Sequence, residues 1–376
     1  DVHDFGGMLT HVDRPFLDRQ ATVLSFDHRY TPDARWDVRT QWVGSGIEQS
    51  GRSIRDNGFQ FRIDHDLGQS GGWRQQLWGL HSGKDLQLND IGYLDRNNFN
   101  YLRYEINRRI GSYPETSRYA GSFWRYAASI RYNDRGQHLW DAVAVNRQSE
   151  TRNGGNEFWE IAMFGAGHDD LILRGNGLVK VPEKIISHYE GFWPRRGYWS
   201  FYVESRIAAE GLEGAKGMGA TFYLEPQYHF NDRMNLAVGV GMQKVPDWLL
   251  WQGGNQLGSF DSEMLELKAL LSMSSSVDKL QAIGLDAEMK QAWRVAANGT
   301  PVRSSDALAD FSLRNLGFQV RYRYELAPLS DLYLVYARGG AMQDDYARGA
   351  STQLRDSFDL RDDEQLLVKL SYRFEI

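Results

Sequence analysis

The 376-residue sequence contains no cysteine. That removes disulfides, thiol nucleophiles and thiolate metal sites in one step, and it suits export through an oxidising compartment. Proline is scarce, at 9 residues. No apolar run reaches the roughly 18 residues that a transmembrane helix needs. There is no G-x-x-x-x-G-K-[ST] phosphate loop and no G-x-G-x-x-G after a strand. A net charge of −6 counts against nucleic acid as a partner. The chain opens on Asp1 with neither Met nor a signal peptide. The expectation is that a signal has been removed or that these residues are the ordered part of something longer.

Aromatic residues are abundant, with 12 Trp, 19 Tyr and 18 Phe, and glycine is high at 38. Charged residues make up 24% of the chain, and the mean hydropathy is −0.54. On hydropathy this is a soluble composition. A membrane β-barrel has the same one, because half of each strand faces a polar lumen.

The dominant pattern has period two. At the C-terminal end Leu366, Val368, Leu370, Tyr372, Phe374 and Ile376 alternate with Leu367, Lys369, Ser371, Arg373 and Glu375. A strand sends successive side chains to opposite faces, so this segment has one apolar and one largely charged side. The same alternation runs through 24–30, 36–42, 59–64, 124–132, 199–207, 222–230, 285–290 and 318–324. None of these runs supplies the i, i+3, i+4, i+7 spacing of an amphipathic helix. The segment 262–273 is helix-compatible but also alternates, and is read as a strand. Tight connections are expected at Thr31-Pro32-Asp33, Pro194-Arg195-Arg196-Gly197, Asn231-Asp232-Arg233 and Ala327-Pro328-Leu329-Ser330. Long polar ones are expected at about 44–57, 83–97, 244–262, 294–309 and 340–362. Leu171-Ile172-Leu173 reads equally as a strand or as part of an inward-folded loop.

Short and long connections broadly alternate, as the periplasmic turns and external loops of outer-membrane barrels do. The predicted fold is therefore all-β: a closed, antiparallel, up-and-down transmembrane barrel of about 18 strands, within a range of 16 to 20. It forms a single domain over 1–376. A propeller would show repeats of about 40–50 residues, and none is found. The charged side becomes the lumen wall, because a closed barrel leaves no unpaired backbone amide in the hydrocarbon and only its interior is wet. The lumen-facing candidates are Arg39, Arg62, Asp64, Arg103, Glu105, Arg125, Arg131, Glu204, Arg206, Glu225, Asp286, Glu288, Lys290, Arg321, Arg323, Lys369 and Arg373. Aromatics flank the short turns, as Trp and Tyr do at a headgroup layer. Tyr30, Trp36, Trp193, Tyr198, Tyr228, Phe230, Tyr372 and Phe374 are the expected girdle.

Two segments carry a family likeness: Leu88-Asn89-Asp90-Ile91-Gly92-Tyr93-Leu94-Asp95-Arg96-Asn97-Asn98, and Leu171-Ile172-Leu173-Arg174-Gly175-Asn176-Gly177 followed by Val181-Pro182 and Pro194-Arg195-Arg196. With Gly7-Met8-Leu9-Thr10 they resemble the C-terminal barrel domain of unknown function in proteins named for a carbohydrate-binding family 9 domain. The resemblance covers nearly the whole chain. It implies an outer-membrane barrel preceded by a carbohydrate-binding β-sandwich, which this sequence lacks. It supplies no catalytic residues.

Other clusters have a functional and a plain reading. His168-Asp169-Asp170 could bind a metal, but adjacent strand residues point apart and a polar turn suffices. Asn89, Asp90, Asp95, Asn97 and Asn98 are rich enough in oxygen for a Ca²⁺ loop, although EF-hand spacing is absent. Arg103, Glu105 and Asn107, or Arg321 and Arg323, could form a charged constriction or a salt-bridge lattice that stiffens the wall. His28 and His65 occupy apolar-face positions with no motif marking a serine partner. Gly211 to Gly219 reads as external loop. Trp248, Leu249, Leu250 and Trp251 form an exposed contact patch or a plug. The functional expectation is a bacterial outer-membrane pore or gated channel for polar solutes. The alternatives are a non-conducting anchor for a periplasmic or surface domain and, third, an outer-membrane enzyme. No cofactor or metal is expected. The partners would be membrane lipids, lipopolysaccharide and a periplasmic or surface protein.

Overall fold

The computed structural model describes every residue except 69, 70, 91–93, 95, 274, 275, 328 and 374–376. Twenty-one strands follow one another: β1 Val2–Arg14, β2 Arg19–Thr31, β3 Trp36–Gln49, β4 Arg52–Asp66, β5 Trp73–Ser82, β6 Phe99–Ile110, β7 Tyr119–Tyr132, β8 His138–Thr151, β9 Asn156–Phe164, β10 Gly167–Asp169, β11 Val179–Val181, β12 Lys184–Arg196, β13 Trp199–Ala209, β14 Met218–Asn231, β15 Met234–Gly253, β16 Gln256–Met273, β17 Ser276–Val295, β18 Pro301–Ser304, β19 Phe311–Ala327, β20 Ser330–Asp344 and β21 Asp363–Ser371. Among the described residues one α-helix, α1, spans Ala350–Ser357. Strands β10, β11 and β18 have three or four residues, and the other eighteen have nine or more. The chain divides into two compact units, 1–149 with 160–169, and 150–159 with 170–376.

In the first unit β1 to β7 pair each with the next, always antiparallel. In the second, β12 to β17 do the same, β17 pairs with β18 and β19, and β19, β20 and β21 continue the meander. Both units are thus up-and-down hairpin arrays. Large apolar side chains stay exposed along them: Phe26, Trp42, Phe59, Leu102, Tyr104, Tyr126 and Ile130 in the first unit, Phe201, Phe222, Leu224, Val240 and Met242 in the second. They occupy one parity of their strands and most charged residues the other, although β17, β19 and β20 also carry Asp286, Glu288, Arg314, Arg338 and Asp344 on the apolar parity.

The predicted turns at 31–33 and 231–233 lie between strands as expected, and 262–273 is strand. Two of the expected long loops are instead hairpins. Strands β3 and β4 stay paired to Gln49↔Arg52, and the two residues between, Ser50 and Gly51, have φ of 51° and 74°. Two consecutive left-handed residues close a type I′ turn, whose twist matches the strands it joins. Strands β15 and β16 likewise run through 244–262 to Gly253↔Gln256. Polar, glycine-rich sequence resembles a loop by composition, yet a ladder exposed to water on its polar side tolerates it. The described residues of 83–98 lie between β5 and β6 outside any strand, whereas 294–309 contains β18 and 340–362 contains α1.

Leu171-Ile172-Leu173 is not a strand. It turns inward within the second unit. Leu173 joins Val179, Leu257, Trp293 and Val295 in a buried cluster, with Ile172, Leu212 and Trp251 packed against it. Trp251 is therefore part of a packed hairpin wall, and Arg174 stands 4.8 Å from its ring.

Candidate functional site

Register builds the site. In the first unit, residues directly opposite on neighbouring strands share a face. The ladders align Arg29, Arg39, Arg62, Trp78 and Arg103 into one row across β2 to β6. One step along the same face lies a row of Asp37, Asp64, Gln76 and Glu105. Beyond it stand Asp66, Arg74, Asn107 and Arg125. On the other side lie Asp27, Gln41, Gln60, Leu80, Tyr101 and Arg131. Seven of the predicted residues (Arg39, Arg62, Asp64, Arg103, Glu105, Arg125 and Arg131) thus fall on one continuous face.

Like charges directly opposite destabilise a ladder. Here the adjacent row compensates. Asp37 accepts from Arg29 at 3.1 and 2.7 Å and from Arg39 at 3.1 and 2.7 Å. Arg62 grips Asp64 at 2.7 and 3.0 Å, and Gln76 donates to Asp64 at 2.7 Å. Arg74 reaches Asp66 at 3.1 Å. Buried Glu105 takes Arg103 at 2.5 Å and Arg125 at 3.5 Å. Arg131 rests instead on rings, 3.2 Å from the Trp140 centroid and 4.7 Å from that of Tyr101. Arginines outnumber carboxylates on this face. Part of it lines a cavity bounded by Arg29, Arg39, Arg62, Arg74, Glu105 and Arg125.

In the second unit Glu204, Arg206, Glu225, Arg321, Arg323 and Lys369 share one face through stretches of ladder clear of the register shifts. Tyr202 donates to Glu204 at 3.2 Å and Tyr223 to Glu225 at 2.5 Å. Arg206 reaches Glu210 at 3.2 Å. Arg323 is held bidentately by Asp331 at 3.0 and 2.9 Å, and Arg321 donates to Gln319 at 3.1 Å. Asp286 and Glu288 fall on the opposite face, which corrects their assignment beside Arg321, Arg323 and Lys369. Asp286 pairs with Ser312, an odd number of residues from Arg321 on β19, and it accepts from the backbone N–H of Arg348 at 2.8 Å. Alternation within one strand labels two faces but does not say which is continuous with its neighbours; register does. Lys290 sits at a register shift in the β16–β17 ladder and donates to the Pro246 carbonyl at 2.7 Å. The Arg373 backbone N–H donates to Ser330 Oγ at 3.0 Å.

The aromatic candidates cluster at turns. Trp36 stacks on His65 at 3.7 Å, Tyr30 on His3 at 4.4 Å and Tyr198 on Tyr228 at 5.7 Å, and Phe230 meets Tyr228 edge-on at 4.9 Å. Trp193 is half-buried near the β12–β13 turn, Tyr372 is exposed after β21, and Phe374 lies outside the described residues.

In the oxygen-rich segment Asp90, Asn89 and Asn98 bond to protein groups. Arg19 donates to Asp90 at 2.6, 3.1 and 3.2 Å, and Arg14 lies 3.4 Å away. These arginines, Arg19 first, hold the Asp90 carboxyl below the usual carboxylate range against the opposing effect of burial. Asn89 accepts from the Leu94 N–H at 2.6 Å, and Asn98 from that of Asp134 at 3.0 Å; Asp95 lies outside the described residues. His168 Nδ1 bonds the His138 carbonyl oxygen at 2.8 Å. Sequence reasoning did not single out Arg29, Asp37, Asp66, Arg74 or Asp331. For Arg29 and Asp37 the i, i+2 spacing to an opposite charge (Asp27 and Arg39) was the available signal; Asp66, Arg74 and Asp331 have no opposite charge at that spacing, and only register pairs them.

An all-β antiparallel meander with one charged and one apolar face defines the class: the up-and-down fold of outer-membrane β-barrels. The siderophore receptor PirA from Pseudomonas aeruginosa shares this fold at a TM-score of 0.52 and 10% identity, over 90% of this chain and 65% of the receptor. The chain thus spans 65% of that receptor's length. Looser matches are the siderophore receptor PirA from Acinetobacter baumannii (TM-score 0.41, 10% identity, 97% of this chain and 72% of that one) and Wzi from Escherichia coli, an outer membrane protein involved in group 1 capsule assembly and a carbohydrate-binding β-barrel (0.36, 10%, 91% and 81%). No curated protein matches the sequence. The chain belongs to the family described as a domain of unknown function, DUF5916, whose model matches residues 10–375.

Proposed function

We propose that this chain closes into a barrel in a bacterial outer membrane and conducts polar solutes, with a preference for anions. Its apolar parity would meet lipid and lipopolysaccharide, and its charged parity would line the lumen. The cross-strand arginine row Arg29–Arg39–Arg62–Arg103 carries the reading. Such a row is costly against lipid but fits a wet lumen, where arginines in excess of carboxylates bias passage toward anions. The reading assigns no catalytic step to the chain.

A second reading is a stiff, non-conducting anchor for a preceding carbohydrate-binding family 9 domain. The near-complete pairing of the row with carboxylates favours it. Planar-bilayer recording of the refolded chain in a KCl gradient separates the two. Discrete conductance with a reversal potential on the chloride side supports the pore. Absence of conductance, also after deletion of residues 345–362, supports the anchor.

A further inference from the structure

We propose that His188, Glu190 and Glu204 form a binding site for a divalent transition-metal ion. His188 and Glu190 are two residues apart on β12, so they share a face. Glu204 stands directly opposite Glu190 on β13. Two carboxylates placed opposite each other repel unless a cation lies between them. His188 Nε2 is 3.2 Å from Glu190 Oε1 and 3.3 Å from Glu204 Oε1, and one ligand atom from each residue falls within 4.8 Å of the others.

The two distances from Nε2 match a metal shell. Ligands about 2.0–2.1 Å from a tetrahedral zinc lie roughly 3.3–3.4 Å from one another. Among the described residues Nε2 finds no hydrogen-bond partner, and the atom is shut off from solvent. Its neighbours are therefore close without serving it as acceptors. The remaining surroundings suit the same purpose. Tyr202 donates to the other Glu204 oxygen, Oε2, at 3.2 Å, as an outer-shell partner that fixes a ligating carboxylate does. The Phe158 ring meets the imidazole edge-on at 5.7 Å. Arg206, opposite His188, directs its guanidinium to Glu210 at 3.2 Å. One imidazole with two carboxylates selects a borderline first-row ion over Ca²⁺, which takes six or more oxygens. Both strands are continuous here, so the site is rigid before the ion arrives.

The test is equilibrium dialysis of the refolded full chain against Co²⁺ and Zn²⁺, with the visible spectrum of bound Co²⁺. One ion per chain is expected, with the strong absorption of a low-coordinate cobalt site. His188→Ala, Glu190→Gln and Glu204→Gln should each lose it, and Tyr202→Phe should weaken it about tenfold. Glu225→Gln, on the same face outside the triad, should bind as the parent does. The Gln variants keep the side-chain shape and decide the matter if His188→Ala fails to fold. Equal binding by the parent and the Glu204→Gln variant, or no binding by the folded parent, overturns the proposal.

Discussion

Asp37→Asn is the most informative single change in the charged face. Asp37 accepts four hydrogen bonds, two each from Arg29 and Arg39, which stand opposite each other in the β2–β3 ladder. Both arginine side chains are about half exposed, at 49% and 53%, and Asp37 is 20% exposed. The pairs therefore belong near the upper end of the exposed range, roughly 0.5–1 kcal/mol each. Removing the charge also leaves Arg29 and Arg39 to repel unopposed, about 1 kcal/mol at 5 Å in water. Against this, Asp37 no longer opposes Asp64 across β3–β4, which returns a similar amount. The net expectation is a loss of about 1–2 kcal/mol. Urea unfolding in lipid vesicles would read it. Reversal potential in a KCl gradient would read the lost negative charge as a shift toward chloride. The double variant Asp37→Asn/Arg39→Gln should recover part of both. A stable Asp37→Asn variant with an unchanged reversal potential would refute the idea that this row braces the wall and sets its selectivity.

Three further outcomes follow from the structure. Val368→Arg should impair membrane assembly, at roughly 2–4 kcal/mol for a charge on a lipid face, while Lys369→Ala, on the face of Tyr333 and Arg323, should not; vesicle folding yields compare them. Gly284→Ala should undock α1, since a Cβ there would lie 2.2 Å from Leu354 N and 2.3 Å from the Ala350 carbonyl oxygen; faster hydrogen exchange or proteolysis at 350–357 reports it. Asp90 has a lowered pKa, so its ion pairs contribute stability above the unfolded carboxylate value near about 3.9 and lose it as pH falls through the lower folded value. Exchange in residues 83–90 should rise under that acid condition, and Asp90→Asn should raise it at neutral pH and flatten the pH dependence.

The strands were legible because period two is written locally: Phe59, Phe61 and Ile63 against Gln60, Arg62 and Asp64 needs no partner strand to be read. Register was not legible. It lifts Arg39, Arg62 and Arg103 from separate strands into one row, and it moves Asp286 and Glu288 to the other face. The hairpin tips at Ser50-Gly51 and Gly254-Asn255 hid inside polar segments, because composition marks exposure to water and not the end of a ladder. The helix at 350–357 was missed for a tertiary reason. Its Gln353 is fully buried and donates to Asp344 at 3.0 Å and to Ser312. Arg314 adds bonds to Gln353 at 2.9 Å and to Asp344 at 2.6 Å, so partners distant in sequence hold that turn in place.

The central claim is that the apolar parity meets lipid and the charged parity meets a wet lumen. The absence of native cysteine makes it directly testable. Single cysteines placed in turn at residues 59 to 64 of β4, in the chain refolded into vesicles, can be probed with a water-soluble maleimide and with a fluorophore quenched by labelled lipid tails. The account predicts strict alternation: maleimide reaction at 60, 62 and 64, and lipid quenching at 59, 61 and 63. Uniform maleimide reaction along the strand, or lipid quenching on the even positions, would contradict it.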